Sequence, residues 1–164
     1  MWKVMSLALP LAPALLASSA LAQQPVSRPQ GSEAATAQQE EENKRLVVEF
    51  YEKAINDKDY DAAAQYLGDR YLQHNPTAAD GPEGLRGFID FLRAQFPQQH
   101  NTIKYAYADG DIVILHVHSV REPGTRGRAI VDIFRLENGK VVEHWDVIQD
   151  IPDPAEARNA NGMF

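Results

Sequence analysis

Three acidic or basic side chains sit where β-formers should bury them: Asp132 in AIVDIF, and His144 and Asp146 in VVEHWDVIQ. A carboxylate among Ile130, Val131, Ile133 and Phe134 loses water, which raises its pKa towards the range in which a base usefully takes and returns a proton. An imidazole one strand away can orient that base, act as the paired acid or polarise a carbonyl. Two further histidines, His116 and His118, lie in DIVILHVHSV, and His74 and Asn75 precede Pro76, which holds Asn75 extended. The chemistry is proton transfer at a carbon already acidified by a neighbouring carbonyl. No G-x-S-x-G elbow, P-loop or dinucleotide glycine fingerprint occurs, and the absence of cysteine removes thiol nucleophiles and cysteine-type zinc sites.

What must position these groups is a hairpin over residues 129 to 150, with Asn138-Gly139 as the turn signal. Two registers are allowed. A two-residue turn at Asn138-Gly139 puts Asp132 opposite Trp145; a turn at Glu137-Asn138 with Gly139 as a left-handed bulge residue puts Asp132 opposite His144. The second is preferred, because it leaves Ile130, Phe134, Val142 and Ile148 on the face that carries Asp132, His144 and Asp146, a pocket lining. Arg135, Glu143 and Trp145 then fall on the other face. Residues 101 to 109 and 111 to 120 read as strands, the second with Ile112, Ile114, His116 and His118 on one face and Val113, Leu115 and Val117 on the other, so at least one of those histidines is expected to be buried.

Before the strands the period is helical. Leu46, Val47, Phe50, Tyr51, Ala54 and Ile55 form one stripe ending near Asn56. Asp59 caps a second, short helix with Tyr60, Ala63, Ala64 and Leu67 buried and Gly68 as its stop. Pro82 opens a third, with Leu85, Phe88, Ile89, Leu92 and Phe96 inward, and Pro97 ends it. Three helices followed by antiparallel strands mean an α+β architecture, the helices packed in a curved sheet that leaves a cavity open at one end.

The first 22 residues read as a signal peptide: a basic start at Lys3, an apolar run from Val4 to Leu16, and Ala20-Leu21-Ala22 before Gln23. A polar leader fills 23–40, and the domain is expected over 41–164, in the periplasm or outside the cell, with no membrane insertion after cleavage. A net charge of −7 with scattered lysines and arginines argues against a nucleic-acid partner.

The segments YLQHNP, the strand with HVH and above all DIFRLENGKVVEHWDVIQ resemble the SnoaL-like polyketide cyclase group of the nuclear transport factor 2-like superfamily, over roughly residues 43–164. The resemblance implies a cone-shaped α+β barrel and, in the founding cyclase, aldol ring closure of a polyketide without metal or cofactor, by an Asp general acid/base with a His on the neighbouring strand. Matched by position, those roles fall on Asp132 and His118, with His74, Asn75, His116, Phe134, His144, Trp145 and Asp146 around the substrate. The resulting expectation is a cofactor-free cyclase, isomerase or dehydratase acting on a small carbonyl-containing or apolar molecule. The alternatives are a non-catalytic periplasmic carrier, or a divalent-metal site built from His116, His118, His144 and a carboxylate. A homodimer, typical of the superfamily, would use the outer sheet face, for which Val113, Leu115 and Val117 are the candidates.

Overall fold

The computed structural model describes residues 37–164; the expected signal peptide and most of the expected leader lie outside the described residues. Helix α1 (Ala37–Tyr51) runs into a π-helical turn (Glu52–Asn56), and α2 (Tyr60–Ala64) is capped by the Asp59 carboxylate, which accepts from the Ala62 N–H at 3.0 Å. Strand β1 (Leu67–Gln73), α3 (Gly81–Gln95), β2 (His100–Asp109), β3 (Ile112–Val120), β4 (Arg128–Glu137) and β5 (Lys140–Asp150) complete the order. The architecture is α+β, as expected. Helix α1 starts at Ala37, inside the expected leader, because its first turns have work to do: Glu40 accepts from the Gly110 N–H and Asn43 donates to the Gly110 carbonyl, tying the helix to the β2–β3 turn.

The five strands lie in the order β1-β5-β4-β3-β2, antiparallel except for β1, which runs parallel to β5. Strand β1 corrects the expected order of three helices before all strands. Gly68 does not stop α2; it belongs to β1, where a Cβ would come within 2.7 Å of Val142 Cγ1, so only glycine allows that approach. Leu67 accordingly points into the core from a strand.

At the hairpin the turn is Asn138-Gly139, with φ of 51° and 70°, the two-residue turn that was not preferred. Next to it Leu136 faces Val141, but Arg135 faces Glu143, so Val142 is an extra residue in β5. The bulge shifts the rest of the hairpin until Asp132 lies opposite Asp146, not His144. Beyond the bulge the preferred and observed registers differ by two residues, which preserves the shared face of Asp132, His144 and Asp146, whereas Val142, expected on that face, is the extra residue and does not line the cavity.

The concave face of the sheet packs against the helices. Val113, Leu115 and Val117 are completely buried there, against Val47, Phe50, Ala54 and Ile89. These strand residues therefore form the inner wall of the cone and are unavailable to a dimer interface. Phe50 meets Phe134 edge-on with centroids 5.8 Å apart, so helix α1 sets the depth of the cavity beside β4. Truncating Phe50 to Ala would cost about 3–5 kcal/mol by the usual cavity penalty. No described helix is long and apolar enough to cross a membrane.

Candidate active site

A cavity of about 240 Å³ opens between the helices and the inner sheet face, lined by Phe50, Tyr51, Tyr71, Phe134 and Ile130 with Asp132, His144, Asp146 and Asn75 among them. Strand alternation delivers Ile130, Asp132 and Phe134 from β4 and His144, Asp146 and Ile148 from β5 to the same side. Asp132 is 5% exposed and His144 8%. His144 Nε2 lies 3.1 Å from Asp132 Oδ1, and His144 Nδ1 lies 3.0 Å from Gln73 Oε1.

The Gln73 contact decides the proton count. Gln73 Oε1 also accepts from the Asn75 N–H at 3.0 Å, so this atom is the amide oxygen and the facing His144 Nδ1 carries a hydrogen. In the neutral ring Nε2 is then an acceptor. One proton therefore lies between Asp132 and His144, as carboxylic acid with imidazole or as carboxylate with imidazolium. Burial pushes the Asp132 carboxyl above its ordinary range, the His144 contact opposes this, and the neighbouring Asp146 adds to the rise. Burial and then the charge of Asp132 likewise hold the Tyr51 phenol protonated; Tyr71 is kept neutral by burial and by Asp132 and Asp146.

Asp146 is held from the loop after β1. Asn75 Nδ2 sits 2.8 Å from both Asp146 oxygens, and its own carbonyl accepts from the Thr77 N–H and hydroxyl, which fixes the amide. Asp132, His144 and Asp146 each offer a ligand atom within 4.8 Å of the others, a set suited to a divalent cation. Four buried side-chain atoms lack a hydrogen-bond partner among the described residues: Gln99 Oε1, Ser119 Oγ, Arg121 Nε and Asp132 Oδ2. All four residues line this one cavity.

Asn75, Asp132, Phe134, His144 and Asp146 thus meet where the sequence placed them. The other expected site residues do not. His116 and His118 lie on the outer face of β3, opposite the buried Val117 and Ser119; His118 Nε2 contacts the Arg126 carbonyl at 2.8 Å, and both rings flank Phe164 at 5.0 Å. Their shared face was read correctly but is the convex one, so His118 is no partner for Asp132. The metal set of His116, His118, His144 and a carboxylate is split across the sheet in the same way. His74 and Trp145 stack outside the cavity, centroids 4.4 Å apart and 5° from parallel, and His74 bonds Glu143, which also binds Arg135 at 2.6 Å. Tyr71 and Gln73 went unseen because the chain from residue 71 reads as an extended piece running into a loop and not as part of a sheet strand; alternation through Tyr71, Gln73 and Asn75 was the available signal.

A helix-filled, curved five-stranded sheet with an acid/base pair inside it defines a cystatin-like, cone-shaped α+β protein. Residues 47–144 match the SnoaL-like domain family, and the chain belongs to that family. No curated protein matches the chain in sequence. Solved structures similar to it include a putative polyketide cyclase from Bacillus cereus ATCC 10987 (19% identity, TM-score 0.60, covering 70% of this chain and 78% of that one). TsrD from Streptomyces laurentii is also similar (21%, 0.55, 65% and 87%), as is an uncharacterized cystatin-fold protein from Novosphingobium aromaticivorans (23%, 0.56, 64% and 97%). At these identities the likeness is one of fold.

Proposed function

We propose that the protein is an acid/base enzyme of the SnoaL-like kind that abstracts a proton next to the carbonyl of a small substrate, leading to aldol cyclisation, isomerisation or dehydration. The observation that carries this reading is the Asp132 carboxyl, buried in the cavity and bonded through Oδ1 to His144, with the Tyr51 phenol as its second neighbour. A buried carboxyl pushed up by desolvation and facing a histidine across a pocket is the arrangement that marks sites of proton transfer.

In this reading Asp132 is the base and His144, in place of His118, is its partner. Asp132 takes the substrate C–H proton, the C–H electron pair moves to form the enolate, and the imidazolium of His144 offsets the charge of the carboxylate before transfer. The protonated Tyr71 phenol supplies an O–H donor to the carbonyl oxygen as charge develops there, while the Tyr51 phenol, which accepts from Asn101, faces Asp132. Asn75 holds Asp146 beside the pair, and Phe134 packs against the substrate. The reading includes operation outside the cytoplasm after leader removal, and a homodimer through the outer face, where Tyr105, Tyr107, Ile114 and Val147 are exposed.

Solvent deuterium exchange into a panel of β-keto esters tests it without knowledge of the physiological substrate. Wild-type protein should accelerate exchange for some member, and Asp132→Asn should lower that rate by at least ~10²-fold with the fold retained, the scale of a lost general base. Exchange undiminished in Asp132→Asn would rule out the assignment and favour the non-catalytic carrier.

A further inference from the structure

The mechanism leaves one end of the cavity unexplained. Arg121, just past β3, and Arg128, at the start of β4, both line it, and both also line an outer groove with Arg126. Ser119 and Arg128 are cross-strand partners, so the serine and the two arginines belong to one corner of the inner face. Arg126 pairs with Asp153, whereas neither Arg121 nor Arg128 has an ion pair among the described residues. Arg121 is held over the Phe96 ring, 5.0 Å from its centroid, yet its buried Nε has no acceptor. Ser119, 1% exposed, presents an equally unpartnered Oγ. Glu122 and Asp150 line the outer groove without bonding either guanidinium.

Two adjacent unpaired cations, a buried N–H without an acceptor and a buried hydroxyl without a partner all lack the same thing, an anion. We propose that Arg121, Arg128 and Ser119 form a subsite for a carboxylate carried by the substrate, so that the carbonyl compound turned over at Asp132 is an acid. This rests on the acid/base reading for the identity of the reacting end, but the subsite itself stands on its own geometry. Planar guanidinium forks match carboxylates in shape. A singly charged carboxylate is favoured over a phosphate dianion because Asp132 and Asp146 occupy the same cavity. Burial, and then the charge of Arg128, depress the pKa of Arg121, an unfavourable interaction that a bound anion relieves.

The geometry also sets the ligand's length. Arg128 precedes Asp132 by four residues on one strand face, roughly 13 Å at ~3.3 Å per residue, and an arginine side chain spans about half of that gap. The acid group therefore sits several bonds from the carbon that loses its proton. Ligands with the two functions on adjacent carbons would not reach both ends.

The test follows the Arg Nε–Hε NMR signals while acetate is added up to about 0.1 M at constant ionic strength, with chloride as control. It then compares 4-phenylbutanoate with 4-phenylbutanamide. A saturable shift of the Arg121 signal with acetate, and at least about tenfold tighter binding of the acid than of the amide, are expected for hydrogen bonds to a charged group. Arg128→Gln, checked by a thermal melt, should reduce that preference to under about threefold, and Ser119→Ala should weaken it. No acetate shift, equal binding of acid and amide, or a preference that survives Arg128→Gln would overturn the subsite. Asp132→Asn separates the two proposals. If it abolishes exchange while the acid preference fails, only the subsite falls; if the preference holds while exchange survives in the mutant, only the acid/base reading falls.

Discussion

Asp132 and His144 touch at 3.1 Å although they are not opposite one another in the sheet; Asp132 pairs with Asp146, and His144 with Phe134. Diagonal neighbours on one face of an antiparallel pair are far enough apart for an imidazole to fit between them, whereas a directly opposed pair would be crowded. The extra residue Val142 creates this offset. It places His144 beside Asp132 and leaves Asp146 as the direct cross-strand neighbour, a second carboxylate that adds to the rise in the Asp132 pKa.

The two histidines adjacent to Asp132 in the competing assignments should behave differently. His144→Asn keeps a donor for Gln73 Oε1 but removes Nε2, and should lower exchange activity by at least ~10²-fold. His118→Ala removes outer-face contacts to the Arg126 carbonyl and the Phe164 ring and should leave activity within about twofold, because His118 lies on the opposite face of the sheet from the cavity. Comparable losses in both variants, measured at equal folded fraction, would contradict this assignment.

Stability should depend on pH through Asp132 with the reverse of the usual carboxylate sign. Its folded pKa is raised by burial, so between the unfolded value of ~3.9 and the folded value the native state binds more protons than the unfolded one. This contribution is fully present below the unfolded pKa and is lost as pH rises through the folded pKa. Urea melts from pH 3.5 upward should show Asp132→Asn gaining on wild type as pH increases, since the amide has nothing to ionise. A gap that stays constant with pH would show that Asp132 titrates normally.

Asn75 is a positioning residue. With Asn75→Ala the Asp146 carboxylate loses the amide that binds both its oxygens, and its uncompensated charge raises the Asp132 pKa further. The acid limb of the pH–rate profile should therefore move to higher pH, by at least ~0.5 unit for a lost charge-assisted bond of modest strength. Asn75→Asp, which adds a like charge, should move it further, while a purely structural role would lower the rate without shifting the limb.

Zinc should compete with the shared proton. Asp132, His144 and Asp146 present their ligand atoms close together, and a metal at Nε2 displaces the hydrogen between His144 and Asp132. Added zinc should inhibit exchange, shift the His144 ring signals and leave those of His116 and His118 unchanged, with the apparent affinity falling as pH is lowered. Zinc shifting His116 and His118 together would instead indicate a site on the outer face.

Much of this was legible in the residues themselves. Period and punctuation located α1, the Asp59 cap, the third helix at Pro82, two strands and the hairpin, and the isolation of Asp132 among apolar β-formers marked the centre of the site. The shared face of Asp132, His144 and Asp146 survived an incorrect register, because beyond the bulge the two registers differ by two residues and side chains alternate with a period of two. Strand β1 was missed because Gly68 resembles a helix stop; its role depends on Val142, seventy-four residues later, which no local pattern contains.

What the chain alone determined was which residues share a face; what only tertiary packing decided was which face is inside. Ile112, Ile114, His116 and His118 alternate with Val113, Leu115 and Val117 in a strand apolar on both sides, so alternation divides them without choosing between them. The choice comes from the direction in which the sheet curls around α1 and α3, placing Leu115 against the helices and leaving His116 and His118 outside. The same curvature brings Gln73, Asn75 and Tyr51 from distant segments to His144, Asp146 and Asp132. A pair of strands can carry an acid and a base, but their proton is placed by groups that arrive only when the cone closes.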